Sequence, residues 1–172
     1  EQPSGALYRL DSSGNYARIL DGIRIPNAIA WSPDNRIMYF GDTRAGIIWA
    51  FDFNLTAGEI TNKRVFVDLA GQSGRPDGAT VDAEGYLWNA EYGGSRVVRY
   101  TPNGKYDRQV DLPVTNVTCC AFGGADFSTL FITTASQKLT AAELEKQPLA
   151  GGLFACDLDI RGLPEPYFAD KL

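Results

Sequence analysis

A repeated order of short apolar runs and turns constrains this chain more than any other feature. Each repeat begins with a glycine or serine. A run of mostly apolar and aromatic residues follows, and then a polar residue and a turn. It occurs four times, at residues 5–11, 46–52, 95–101 and 152–157. Tyr8, Trp49 and Val98 hold the same place in three copies and lie 41 and 49 residues apart. A period of about 40–50 residues is typical of β-propeller blades, each of which contains four short strands.

Further apolar runs complete the repeat. A second strand is predicted after each turn, at residues 17–20, 64–69 and 106–112. Hairpins are predicted between these strand pairs, at residues 25–40, 75–88 and 117–134. Short strands at regular spacing also occur in β-sandwiches, but the repeated internal order favours a propeller. We therefore predict an all-β fold with about three and a half blades, forming one partial domain over residues 1–172.

The number of blades bears on what else the fold requires. Propellers close into rings of roughly four to eight blades, so about three and a half blades leave open sheet edges. The chain begins with Glu1-Gln2-Pro3 directly before a predicted strand, which favours a partial sequence with N-terminal blades missing. We expect those preceding blades, or a second copy of the chain, to complete the ring.

Composition excludes several classes of function. The sequence has no histidine, which excludes Ser-His-Asp catalysis and histidine-rich zinc sites within this chain. The formal net charge of −5 argues against a nucleic-acid partner, which needs a basic surface. No apolar run approaches the roughly 18–20 residues of a membrane span, so no membrane partner is predicted. Three cysteines, two of them adjacent, indicate reduced thiols and a cytoplasmic location.

Polar side chains stand at the entrances of the three predicted hairpins. When the hairpins are aligned on their apolar runs, Asn27, Asp77 and Thr118 fall at one position. The innermost strands of a propeller line its central channel, so residues at the same depth converge there. Asparagine and aspartate oxygens would suit a hard cation such as calcium, magnesium or manganese. Both residue types are also common in turns for their backbone geometry alone, and Thr118 would equally suit a cross-strand hydrogen bond.

Two further carboxylates follow the second strands of the first two hairpins. Asp42 and Glu91 end those strands, so both are expected to return to the same face as Asn27 and Asp77. They are candidates for the rim of a substrate pocket, or for solvated turn positions.

One segment departs from the strand pattern. Residues 139–147 carry Thr140 and Glu143 at the spacing of a capping box, and Pro148 follows. A short surface helix is predicted there between two strands of a blade, either as a lid or as a solvated decoration.

Several motifs, in a fixed order, resemble a known family. They are Pro26–Asp34, Tyr39–Thr43, Arg75–Gly78, Asp82–Trp88, Gly93–Tyr100, Cys119–Gly124 and Ala150–Phe154. Together they resemble the senescence marker protein/gluconolactonase (SMP-30/gluconolactonase/LRE) family over nearly the whole chain. The resemblance implies a six-bladed propeller with one divalent metal in the channel, Ca²⁺ or alternatively Zn²⁺, Mn²⁺ or Mg²⁺.

The resemblance also implies an activity. Members of this family hydrolyse sugar lactones and related cyclic esters, so a small sugar lactone is the implied substrate. Asn27 and Asp77 match two of the family's metal ligands, and Asp77 also matches its proposed general base. The remaining carboxylate ligand of the family lies near its N-terminus, in blades that this sequence does not contain.

Two other interpretations belong to different functional classes. A non-catalytic half-propeller that binds calcium or serves in assembly would explain the missing blades and carboxylate. A related propeller hydrolase acting on phosphotriesters or aryl esters would share the same architecture. A panel of substrates separates the second of these from a lactonase.

Overall fold

The fold is all-β apart from one short helix. The computed structural model describes residues 2–167. The first six strands are β1 (Gly5–Leu10), β2 (Tyr16–Ile23), β3 (Pro26–Trp31), β4 (Ile37–Asp42), β5 (Ile47–Asn54) and β6 (Glu59–Asp68). The next six are β7 (Arg75–Val81), β8 (Leu87–Tyr92), β9 (Arg96–Tyr100), β10 (Tyr106–Asp111), β11 (Val117–Gly123) and β12 (Thr129–Thr134). Helix α1 (Ala141–Lys146) and strand β13 (Leu153–Asp157) follow.

These strands form four antiparallel sheets in which neighbours in sequence are neighbours in space. Two sheets have four strands, β3 to β6 and β7 to β10, and we call them the first and second full sheets. A two-stranded sheet, β1 and β2, precedes them, and a three-stranded sheet, β11 to β13, follows. This is the order that the repeat predicted, and the all-β class is confirmed. The sheets meet face to face mainly along their first strands, where β3 contacts β7 and β7 contacts β11.

The hydrophobic core lies in layers between successive sheets. Strand β4 shows why, because Met38, Tyr39 and Phe40 are all buried although successive side chains of a strand point to opposite faces. Met38 and Phe40 pack toward the two-stranded sheet, whereas Tyr39 packs toward the second full sheet. Each large apolar side chain buried in this way contributes roughly 1.5–3 kcal/mol. Both faces of each full sheet are therefore covered.

A buried ionic network ties the second full sheet together. Arg99 and Asp82 are 2% and 0% exposed, and Arg99 Nε donates to Asp82 Oδ2 at 2.8 Å. Trp88 Nε1 donates to the same oxygen at 2.8 Å. Glu84 and Asp107 also contact the Arg99 guanidinium, at 2.6 and 3.0 Å. Since every charged group has a partner, the network satisfies charges that would otherwise be costly to bury.

The predicted helix is confirmed, together with its cap. The Thr140 side chain accepts from the Glu143 backbone N–H, and the Glu143 carboxylate accepts from the Thr140 backbone N–H. No residue of α1 is buried. The helix lies in the connection between β12 and β13. Because β11 and β12 are antiparallel, this connection leaves the sheet beside the start of β11. Within residues 2–167, no helix combines the length and apolar character needed to cross a membrane.

Candidate metal and catalytic site

The first strands of three sheets are interrupted at equivalent places. In β3 the pairing with β4 shifts between Asn27 and Ala30, and in β7 the pairing with β8 shifts between Pro76 and Ala79. The shift in β11 encloses Thr118. Such β-bulges re-aim side chains and are frequent beside active sites. The equivalence predicted for Asn27, Asp77 and Thr118 therefore has a structural basis in a repeated bulge.

Asn27 and Asp77 are brought together across the gap between the two full sheets. Both side chains are half-buried. The Asn27 side chain lies close enough to the Asp77 carboxylate to lower its pKa, and Asn27 Nδ2 donates to Thr43 Oγ1 at 3.0 Å. Two oxygen-bearing side chains, one from β3 and one from β7, thus lie next to each other, and their shared role in one site stays a prediction.

The Asp77 carboxyl is electrostatically unusual. Burial raises the pKa of Asp77 to about 6, although hydrogen bonds from Asn27 and the Gly78 backbone partly offset the effect. Burial disfavours the charged form because the protein interior solvates it less well than water. The surrounding protein therefore compensates the charge of the Asp77 carboxylate only in part.

These properties fit a hard divalent cation. Carboxylate and amide oxygens are the donors that Ca²⁺, Mg²⁺ and Mn²⁺ prefer, and a cation would compensate the buried charge of Asp77. Over residues 2–167, no group of three or more Asp, Glu or Cys side chains is arranged to hold a metal ion. Calcium takes roughly six to eight oxygen ligands, so Asn27 and Asp77 by themselves would supply only part of a coordination shell.

Thr118 lies at the equivalent bulge but has a different partner. Its hydroxyl shares a hydrogen bond of 2.8 Å with the Thr133 hydroxyl on the neighbouring strand. The cross-strand interpretation of Thr118 is thus confirmed. A role for the same hydroxyl in the channel stays a prediction.

Asp42 is occupied by the backbone of its own sheet rather than facing a pocket. It is 3% exposed. Its carboxylate accepts from the backbone N–H groups of two segments, those of Arg24 and Ile25 before β3 and those of Arg44 and Ala45 after β4. Asp42 therefore ties two loops together, and we assign it a structural role.

Glu91 is likewise committed to neighbouring side chains. It is fully buried, accepts from Arg96 Nε at 2.8 Å, and accepts from the Tyr100 hydroxyl at 2.7 Å. This contact contributes to the raised pKa of Tyr100, which burial raises most. Both carboxylate oxygens have donors within the second full sheet, so Glu91 also receives a structural role.

Two contacts at this site had no signal in the sequence. Thr43 holds the Asn27 amide but lies outside the aligned hairpin positions. Cys119 packs directly over Gly78, since a Cβ added to Gly78 would lie 2.3 Å from the Cys119 sulfur and 2.8 Å from its Cα. Only the packing of β7 against β11 creates that second contact.

Replacing Gly78 by alanine should displace the strand segment that carries Asp77. The added methyl group would overlap the backbone of Cys119 and not merely a flexible side chain, so β7 and β11 must separate. We expect a loss of stability of about 1–3 kcal/mol in urea unfolding, with altered backbone resonances at Asp77. Gly14→Ala is a control for backbone strain alone, because nothing lies within 4 Å of its added methyl but its φ is +81°; it should lower stability without altering the resonances at Asp77. An unchanged spectrum around Asp77 would contradict this prediction.

A cavity of about 610 Å³ lies toward the other end of the same strands. Its lining includes Ile29 and Trp31 from β3, Thr80 from β7, and Leu163 and Pro164 from the C-terminal segment. Neither Asn27 nor Asp77 lines it. The apolar cavity and the polar pair are thus distinct features at different depths along β3 and β7.

Known proteins are similar to this chain in sequence and in fold. Residues 1–136 match the family model described as "SMP-30/Gluconolactonase/LRE-like region". Regucalcin from Oryctolagus cuniculus is 40% identical over 169 residues, which is 97% of this chain and 56% of the relative. The crystal structure of a calcium-binding protein, regucalcin, from Agrobacterium tumefaciens is similar with a TM-score of 0.91 and 33% identity, covering 96% of this chain and 56% of that one. A gluconolactonase structure from Xanthomonas campestris has a TM-score of 0.64 and 31% identity, covering 74% and 41%.

The extent of these matches is as informative as their strength. The chain spans slightly more than half the length of the curated relatives that it matches. The match covers both full sheets and the bulges that carry Asn27 and Asp77. The chain belongs to the SMP-30/gluconolactonase/LRE-like family.

Proposed function

We propose that this chain supplies part of the active site of a metal-dependent hydrolase of sugar lactones or related cyclic esters. The convergence of Asn27 and Asp77 at two equivalent bulges is the observation that carries the proposal. It is supported by the raised pKa of Asp77 and by family membership. A sugar lactone is the proposed substrate, and the chemistry is addition of water to its carbonyl carbon.

Asp77 is the proposed general base. Its carboxylate accepts a proton from water as the oxygen of that water adds to the lactone carbonyl. The ring C–O bond then breaks, and the proton passes to the departing ring oxygen, giving a hydroxy acid. Without a bound cation the pKa of Asp77 is about 6, so its carboxylate is mostly ionised at neutral pH and can accept a proton from water; a bound cation would favour the ionised form further.

Asn27 and Asp77 are also the proposed ligands of a divalent cation, most simply Ca²⁺, with Mg²⁺, Mn²⁺ or Zn²⁺ as alternatives. When bound, such a cation polarises the substrate carbonyl and stabilises negative charge on its oxygen. Asn27 has a second function, since its amide orients the Asp77 carboxylate. Thr43 in turn fixes the Asn27 amide.

We further propose that the complete protein is a six-bladed propeller. Two observations support additional blades, namely the two-stranded sheet of β1 and β2 and the greater length of the relatives. The preceding blades, or a second copy of the chain, would close the ring and supply the remaining ligands. The incomplete ligand set of residues 2–167 favours one alternative, in which this chain by itself is a non-catalytic cation-binding or assembly module.

We also propose that the protein is located in the cytoplasm.

The test is hydrolysis by the protein that includes the preceding blades. Five- and six-membered sugar lactones, an aryl ester and a phosphotriester would be assayed with each divalent cation. We expect lactone hydrolysis that chelation abolishes. Asn27→Ala should lower cation affinity at least about tenfold, since even outer-shell partners of metal sites cost 10–100-fold. Asn15→Ala, in an exposed turn, is the control and should leave both cation affinity and lactone hydrolysis unchanged.

Two results would count against the proposal. Turnover of only the phosphotriester or aryl ester would assign the site to a different hydrolase. Cation binding without turnover of any substrate would favour the non-catalytic module.

A further inference from the structure

One fully buried amide has no hydrogen-bond partner among the described residues. Asn89, in the middle of β8, is 0% exposed, and neither its Nδ2 nor its Oδ1 contacts a protein donor or acceptor in residues 2–167. Its burial costs free energy unless both atoms are paired. The large majority of buried polar side-chain atoms in proteins are satisfied by protein or by ordered water. A polar partner for Asn89 is therefore required.

The strand register places this amide between the two full sheets. Asn89 pairs with Ala79 on β7 and with Val98 on β9, and directly opposed residues share one face of a sheet. Ala79 and Val98 both belong to the hydrophobic cluster between the two full sheets. Trp88 and Ala90 pack on the other face, toward the three-stranded sheet. Both sheets that enclose Asn89 have all four strands, so its surroundings are complete within this chain.

The same register places Asn89 beside the Asp77 bulge. Pairing passes from Pro76 with Glu91 to Ala79 with Asn89, so Asp77 and Gly78 together face a single residue of β8. Asn89 is thus opposite the first residue paired after the bulge. A bulge leaves one residue outside the ladder, and its backbone N–H and C=O groups also need partners. An unsatisfied amide and an interrupted ladder therefore lie side by side.

We infer that an internal water molecule occupies this position and bridges the Asn89 amide to the backbone of the Asp77–Gly78 bulge. A buried water typically makes about three hydrogen bonds to otherwise unsatisfied groups, which matches an amide and an interrupted ladder. Asn89 is then a positioning residue that fixes the direction of Asp77. The inference holds for this chain whether or not it takes part in lactone hydrolysis.

The direct test is a crystal structure of the chain at a resolution that shows ordered water. We expect a water within hydrogen-bonding distance of both an Asn89 amide atom and a backbone atom of the bulge. A dry amide, or a protein atom filling the same role, would overturn the inference.

Asn89→Leu provides a solution test, because leucine keeps the branching and number of side-chain heavy atoms and removes the amide. We expect hydrogen exchange at the amides of Gly78 and Ala79 to increase at least tenfold more than exchange in β4. Val81→Ala is the matched control. It removes buried volume from β7, the strand that carries the bulge, and from the hydrophobic cluster between the two full sheets, but it leaves the bulge residues unchanged. It should lower overall stability without a selective effect at Gly78.

Asn89→Ser keeps the test decisive if the leucine variant does not fold. Serine retains a hydroxyl that can bond the same water, so exchange at Gly78 should remain close to that of the parent chain. Greater stability in Asn89→Leu, with unchanged exchange at the bulge, would show that the amide is dry and would overturn the inference. Selective exposure of the bulge in Asn89→Ser would do the same.

Discussion

Asp77→Asn should abolish lactone hydrolysis by the complete protein while stabilising the cation-free fold. General-base catalysis contributes roughly 10²–10⁴-fold, so we expect a loss of kcat at least that large. The fold should gain about 1–2 kcal/mol at pH 8, less than the roughly 3 kcal/mol that a complete shift of Asp77 would imply, because the side chain is only half-buried. Urea unfolding and a lactone assay measure the two effects.

The stabilisation should depend on pH with a definite sign. The pKa of Asp77 is about 6 in the folded chain, above roughly 3.9 in an unfolded chain. The parent chain therefore carries no penalty below about pH 4 and loses stability as pH rises through 6. The advantage of Asp77→Asn should grow over the same interval. Added Ca²⁺ should reverse it, because a cation bound by the native state stabilises only the parent chain.

Asp21→Asn is the control for this prediction. Asp21 has an exposed side chain and only a 3.9 Å contact with Arg18, a type of pair that contributes little. Its stability should differ from that of the parent chain by only a small amount. Full lactone turnover in Asp77→Asn, or stabilisation that grows as pH falls, would contradict the assignment of Asp77.

Asp82→Ala should cost about 3–5 kcal/mol of unfolding free energy, the typical penalty for breaking a buried ion pair by removing one partner. The substitution leaves Arg99 buried beside the more exposed Glu84, and it deprives Trp88 Nε1 of its acceptor. Two backbone N–H groups in the β7–β8 turn also lose their acceptor. Small domains are stable by only roughly 5–15 kcal/mol, so a large part of the native stability should be lost.

Asp107→Asn separates the buried pair from the remainder of the network. Asp107 also contacts Arg99, at 3.0 Å, but its side chain is 26% exposed. Its replacement should cost less than about 1 kcal/mol. Chemical denaturation of both variants measures the difference. Equal losses in the two variants would show that burial of Asp82 is unimportant.

Much of the architecture could be predicted from local sequence. The hairpins, the glycine turns and the capping box of α1 depend on residues close together in the chain, so their signals lie in short windows. The repeat then placed Asn27 and Asp77 at equivalent positions before any contact between them was known. Strand ends were less accurate, as in β6, which begins at Glu59 and not at the predicted residue 64.

The partners of the polar side chains could not be predicted in the same way. Asp42 and Asp77 are both aspartates at the polar end of a predicted hairpin. Asp42 nevertheless accepts from four backbone N–H groups, whereas Asp77 accepts from few donors. The loops before β3 and after β4 fold toward Asp42 and supply those donors. Asp77 lies at a bulge, where the ladder opens and donors are scarce. Neither environment is encoded by the spacing of the residues.

By itself, the sequence determined the repeat, the all-β class and the equivalent positions of Asn27 and Asp77, because strand periodicity and turn chemistry act over short distances. Only the tertiary structure decided that the charge of Asp77 is partly uncompensated and that Asp42 and Glu91 have structural hydrogen bonds. It also decided where the buried amide of Asn89 needs a water molecule. Those outcomes depend on burial and on donors contributed by other sheets. Asp77 is a candidate base because the packing of β3, β7 and β11 leaves it half-buried with few donors.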